Sequence, residues 1–218
     1  MVRAISSKLN PILNRRQFIV GASVAILPTS ASAALRCNLP NGAGAQFCEV
    51  GIDNQVQEVS AWQQQPQWCW AACVSAIFAF HGFPVSQSRI VEATYGRVVN
   101  LPAMGPQIAA ATSKAWTSDR GDDFESECEV LWDQQYYVGR PDAVLEAARE
   151  LADDQPLIIG TGGHCMVLTA MTYMRDAFGN GQPTSIVVRD PFPGRRRNLT
   201  PREWLSTTFL AKVNVSEI

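Results

Sequence analysis

The stretch Gln63-Gln64-Gln65-Pro66-Gln67-Trp68-Cys69-Trp70-Ala71-Ala72 decides how this 218-residue chain folds. Pro66 breaks the backbone immediately before an Ala-rich run from Trp68 to Phe80. That run is apolar on most faces, which predicts a buried central helix rather than a surface one. Gly82 and Pro84 end it. Cys69 therefore stands at a helix start, where the backbone dipole favours negative charge. An amide side chain, Gln63, lies six residues before it.

The nearest chemical partner for such a thiol is an imidazole, and the chain has only two histidines. His81 is twelve residues further along the same helix, roughly 18 Å from Cys69 at 1.5 Å per residue. A general base has to lie within about 3 Å. If Cys69 is a nucleophile with a histidine base, the base is His164, in Gly162-Gly163-His164-Cys165-Met166-Val167-Leu168. A cysteine at a helix start with one distant histidine is the pattern of an activated thiol nucleophile. The competing reading is a buried apolar cysteine among Trp68, Trp70, Ala71 and Ala72.

Two further roles have candidates. Acyl transfer places negative charge on the former carbonyl oxygen, and Gln63 with the Cys69 backbone N–H could receive it. Gln64, Gln65 and Gln67 lie nearby, and Gln67 is six residues before Cys73, so the spacing applies twice. Cys69 is preferred because Cys73 falls one turn inside the helix. The histidine also needs a group to hold its tautomer. His164 opens one β-like segment and Asp190 closes the next, with Gly179-Asn180-Gly181 as a turn between them. A hairpin would bring the two side chains to its open end. Asn198 is the alternative orienter.

The rest of the chain frames that site. Residues 34–54, rich in Gly and Asn, read as an irregular arm, and 55–59 as a short strand. Ser86 to Tyr95, capped by Gly96, predicts a second helix, and Pro106 to about Lys114 a third. Residues 116–127 are acidic and read as a loop, and Pro141 to Ala152 as a helix. Strands are predicted at 156–160, 164–173, 185–190 and 209–215, with a capped turn of helix at Thr200-Pro201-Arg202-Glu203. A mainly helical first half and a mainly β second half predict an α+β fold with a cleft between the halves.

The first 33 residues hold four basic residues, no acidic one, an apolar run from Phe18 to Leu27, and Ala31-Ser32-Ala33 as a cleavage signal. They read as an export signal, of twin-arginine type if Arg15-Arg16 is functional. The run is about ten residues, and a membrane span needs about 20. Removing 33 of 218 residues leaves the arm at 34–54 and one domain at 55–218, together with 14 basic and 20 acidic residues, a net charge of −6. That balance argues against nucleic-acid binding, and Arg195-Arg196-Arg197 reads as a solvated loop. Export to the periplasm or outside the cell permits disulfides among the six cysteines. Cys37–Cys48 is the easiest bridge, and Cys73–Cys128 a second possibility.

The Gln63 loop, the Trp68-Cys69-Trp70-Ala71-Ala72 stretch, Gly163-His164 with its apolar strand, and Val188-Arg189-Asp190-Pro191 resemble the papain-like cysteine protease superfamily. The resemblance spans about 56–200. It is closest to the compact bacterial branch that includes bacteriocin-leader peptidases and plant-pathogen effector proteases. It implies Cys69 as nucleophile, His164 as base, Asp190 as orienter and Gln63 as oxyanion donor, acting on a peptide or protein without cofactor or metal. The gap of 95 residues from Cys69 to His164 is shorter than the roughly 130–150 of papain and cathepsins. The orienter is Asp rather than their Asn. Other readings are a cell-wall peptide amidase or acyltransferase with the same residues, an inactive binding module, or a zinc site on Cys69, Cys73, His164 and Cys165, whose spacing fits no C-x-x-C pattern.

Overall fold

The computed structural model describes residues 35–60, 62–134, 138–139 and 143–218. The predicted export signal at 1–33 lies outside them.

Cys165, Met166, Val167, Leu168 and Thr169 are buried without a break, so both faces of their strand are covered. This strand, written β7 (His164–Arg175) by its place in the chain, is the hub of the sheet. Along one edge it pairs first with β6 (Leu157–Thr161) and then with β2 (Gln46–Gly51); along the other it pairs with β8 (Gly181–Asp190). Beyond β6 the sheet continues through β10 (Thr207–Glu217) and β4 (Asp123–Asp133) to β3 (Lys114–Thr117). β1 (Arg36–Cys37) borders β2, β5 (Val138–Gly139) borders β4, and β9 (Arg195–Asn198) borders β8. All pairings are antiparallel.

Helix α1 (Asp53–Gln57) leads into α2 (Cys69–Phe80), which packs against β7 and against α3 (Gln87–Tyr95). α4 (Gly105–Ala111) joins α3 to the sheet, α5 (Ala143–Ala152) packs on β7, and α6 (Pro201–Leu205) precedes β10. The fold is thus α+β, with a buried central helix against an antiparallel sheet. Trp70 and Phe78 of α2 are fully buried, as the apolar run predicts. Gly96 ends α3 in the left-handed conformation, and Thr200 and Glu203 form the expected capping box. Ser86 takes the N-cap position of α3 without a side-chain capping bond.

Several expectations are corrected. The segment from Gln55 is helical, because Asp53 anchors its start: Thr169 Oγ1 donates to the Asp53 carboxylate at 2.9 Å, and Arg189 and Arg196 bind it at 2.7 and 2.9 Å. The arm contains β1 and β2, and the Cys37–Cys48 bridge links facing residues of that pair. Cys73 and Cys128 are not bridged; Cys73 lies within α2 and Cys128 on β4, and both thiols are free. The acidic segment at 116–127 is a hairpin of β3 and β4. In β4, Phe124 and Ser126 point inward while Asp123, Glu125 and Glu127 face water, so the charges mark the wet face of a strand. Arg195 to Arg197 form β9 rather than a solvated loop. Helix α5 starts at Ala143; Pro141, its predicted first residue, lies outside the described residues.

Gly51 faces Ala170 across the β2–β7 register, and a Cβ at Gly51 would overlap the Ala170 methyl group. Gly51→Ala should therefore destabilise the domain by about 1–3 kcal/mol, the usual cost of overpacking. Adding Ala170→Gly should recover part of the loss in denaturant unfolding. Two purely additive costs would contradict the overlap.

Candidate active site

A thiol at a helix start is useful only if its surroundings are fixed, and the two tryptophans beside Cys69 fix them. Trp68 Nε1 donates to the Val99 carbonyl at 2.8 Å, and Trp70 Nε1 to the Leu101 carbonyl at 3.1 Å. Gln67 N–H donates to Asn100 Oδ1 at 2.9 Å between them. Three successive donors thus stitch the segment after α3 onto the start of α2. Cys69 itself is buried to 9% exposure at the floor of a cleft.

His164 enters from the first position of β7, after Gly162 and Gly163, both with positive φ. Its Nε2 lies 2.6 Å from Asp190 Oδ1, which also accepts the Phe192 N–H at 2.9 Å. The Cys69 side chain is close enough to the ring to favour its charged form. The structure thus brings Cys69 of α2, His164 of β7 and Asp190 of β8 into one site, with His164 bonded to Asp190. Asn198, the alternative orienter, faces Val187 and Ser185 instead.

The row is polarised. The Cys69 thiol is pushed down to about 4, chiefly by the Cys165 thiol hydrogen bond, with burial opposing and the His164 ring assisting. His164 is raised to about 9, first by its bond to Asp190 and then by Cys69. At neutral pH the pair is thiolate and imidazolium. Burial pushes the Cys73 thiol up, as does the charge of Cys69, so the second cysteine of α2 stays protonated. His81 sits at the far end of α2 and is lowered by burial.

His164 lines two cavities. One, of about 650 Å³, runs over Cys69 between Met104 and Ile108 of the helical half and Gly160 and Phe209 of the sheet half. The other, of about 470 Å³, is bounded by Gln63, Pro66 and Phe192. An extended chain crossing from one to the other would pass His164, with Cys69 in the wall of the first. No group of three or more His, Cys, Asp or Glu residues suited to a metal is found among the described residues.

Gln63 stands at the rim beside His164, but its Nε2 donates to the carbonyls of Gln65 and Pro66 at 3.1 and 2.9 Å. In this structure the amide closes its own loop. The residue that sequence reasoning missed is Gln87 of α3, at 2% exposure. Its amide accepts the Gln64 N–H at 2.9 Å and donates to the Trp62 carbonyl at 2.8 Å, pairing with the loop as a strand would. Gln63 N–H donates to the Pro191 carbonyl at 3.1 Å, so the loop is also tied to the turn after Asp190. Its only sequence signal is a glutamine at the start of the second predicted helix, and helical pattern alone does not single it out.

No protein-family profile matches the chain, and no curated protein does. Several solved structures are similar, two of them as follows. One is the peptidase domain of Streptococcus ComA, a bifunctional ABC transporter involved in a quorum-sensing pathway. It is 16% identical, with a TM-score of 0.44, over 72% of this chain and 97% of that one. The other is a double-glycine-motif protease from an AMS/PCAT transporter, in complex with the leader peptide. It is 13% identical, with a TM-score of 0.41, over 72% of this chain and 89% of that one.

Gln87→Ala removes both bonds to the loop and leaves two backbone groups unpaired, a loss of about 1–3 kcal/mol. Amide exchange at Gln64 should rise while exchange within β7 is unchanged. Uniform acceleration across the domain would show a global rather than a loop effect.

Proposed function

We propose that this protein is an exported thiol hydrolase, a papain-like cysteine peptidase. One observation carries the reading: Cys69 at a helix start, His164 and Asp190 meet where two cavities adjoin, with His164 Nε2 held 2.6 Å from Asp190 Oδ1. Cys69 attacks the scissile carbonyl as the thiolate. His164 then gives its proton to the leaving amine, and takes one from water in deacylation. Asp190 holds the ring and favours its charged form. The peptide runs across His164 between the two cavities.

The tetrahedral intermediate needs donors for its oxyanion. The first N–H groups of α2 have no carbonyl one turn earlier to bind, and that of Cys69 lies at the sulfur. Gln63 supplies the second donor when one of its amide hydrogens leaves a loop carbonyl for the substrate oxygen. Export through residues 1–33 is supported by the Cys37–Cys48 bridge, which suits an oxidising compartment. The product of signal removal then works in the periplasm or outside the cell.

Cys69→Ala should lower peptide hydrolysis by roughly 10⁶, the cost of removing a triad nucleophile. Retained turnover would refute the assignment. Gln63→Ala should cost roughly 10²–10³ in turnover, as for one oxyanion donor. Iodoacetamide alkylation should change far less, because it builds no oxyanion; equal losses would assign Gln63 to loop structure alone.

The pH profile follows from the two shifts. Cys69 is lowered, so its thiolate is present above about 4 and lost below it. His164 is raised, so its proton is present below about 9 and lost above it. Alkylation of Cys69 and kcat/KM should both plateau between these limits, which belong to the coupled pair. A thiol that begins to react only near its ordinary pKa of about 8.5 would contradict the ion pair.

A further inference from the structure

Asp190 has a second partner that the row described so far does not use. Its Oδ2 accepts from Arg197 Nε at 2.7 Å, on β9. Arg197 Nη2 in turn lies 2.9 Å from Glu203 Oε1, and the same nitrogen touches Met166 Sδ at 3.0 Å. Glu203 is itself fixed, because its other oxygen accepts the Thr200 N–H at 2.7 Å in the capping box of α6. Charges therefore alternate along one line: Cys69 negative, His164 positive, Asp190 negative, Arg197 positive, Glu203 negative.

We propose that Arg197, backed by Glu203, is the positioning residue for the catalytic carboxylate. It fixes Asp190 through the oxygen that His164 leaves free, and sets how much negative charge Asp190 presents to the ring. The inference rests on the assignment of Cys69, His164 and Asp190 made above, and deepens it. The buried carboxylate would otherwise have one oxygen without a charged partner, a costly state at 5% exposure. A guanidinium meets that need with a rigid donor that stays charged at every working pH. Its own charge opposes the imidazolium, and Glu203 offsets that opposition.

The other groups near this line keep their charges through the test. Cys73 of α2 is kept protonated by burial, and Cys165 of β7 first by its hydrogen bond to Cys69 and then by burial. Arg195 faces Asp190 in the β8–β9 register and is exposed. Arg189 is held away by Asp53. Arg197 and Glu203 are thus the two charges that can be removed one at a time.

The two removals should act with opposite sign. Arg197→Gln keeps a hydrogen-bond donor but deletes the positive charge, so the imidazolium gains and the alkaline limit moves up. Glu203→Gln keeps the capping box, which accepts Gln at that position. It leaves Arg197 unopposed, so the alkaline limit moves down. Each shift should be about half a unit to one unit, given a charge two groups away and partial solvent screening. Arg197→Lys should stay near the wild-type limit, with lower kcat from its looser geometry.

The measurement is the alkaline limit of kcat/KM, paired with an NMR titration of His164 in the Cys69→Ala background. The chain has only two histidines, and His81→Asn identifies the other resonance. Opposite shifts in the two variants support the proposal. No shift in either, or shifts of the same sign, overturn it, because a merely structural role would reduce stability without moving the limit in opposite directions. If Arg197→Gln does not fold, Glu203→Gln decides alone: a downward shift supports the proposal and an unchanged midpoint overturns it. Failure of the underlying peptidase reading is separate, since it would show as turnover surviving in Cys69→Ala while the titration remains measurable.

Discussion

A negative sulfur set in a wall of indoles and alanines has to be compensated within hydrogen-bond reach, and the architecture is arranged around that requirement. Water cannot solvate Cys69 fully at its low exposure, so the compensation comes from fixed groups. The helix start supplies partial positive charge, Cys165 supplies a donor, and His164 supplies a full charge. His164 holds that charge chiefly because Asp190 lies 2.6 Å away on the neighbouring strand. The sheet order meets this demand. β7 carries the imidazole, β8 the carboxylate, and their antiparallel pairing brings the start of one beside the end of the other.

The same arrangement explains why so many backbone groups near the site are tied down. Geometry at a site is lost when its surroundings drift by an ångström, so the loops around it need an outer ring of bonds. Here Trp68 and Trp70 hold the segment after α3, while Gln87 and the Pro191 carbonyl hold the loop before α2. The side chains that flank Cys69 in sequence therefore do two things. Their rings fill the core, and their N–H groups shape the wall of the larger cavity.

Much of this was legible in the sequence because the relevant signals are local. The apolar run from Trp68, the glycines before His164, and the turn between β7 and β8 each act over a few residues. What stayed hidden depends on pairing at a distance. The acidic stretch that became β4 alternates in and out, but its charged half dominates the composition and masks the period. The helix at Asp53 contradicts a weak alternation because Arg189, Arg196 and Thr169 converge on its first carboxylate from far along the chain. Arg197 looked like one of three solvated charges, and only the β8–β9 register turns it towards Asp190.

The position of the two cysteines on α2 shows how fine these electrostatic differences are. Cys69 and Cys73 are one turn apart, and each has a glutamine six residues before it. Spacing therefore cannot rank them. Cys69 stands where α2 begins, facing His164 and the open cleft. Cys73 lies one turn deeper, enclosed by the core, and meets the negative charges of Cys69 and Asp190 rather than a cation. Once Cys69 is ionised, a second thiolate at Cys73 would be both desolvated and repelled. Burial first, and then the charge on the first cysteine, keep the second one neutral, so a single helix carries two sulfurs of opposite tendency.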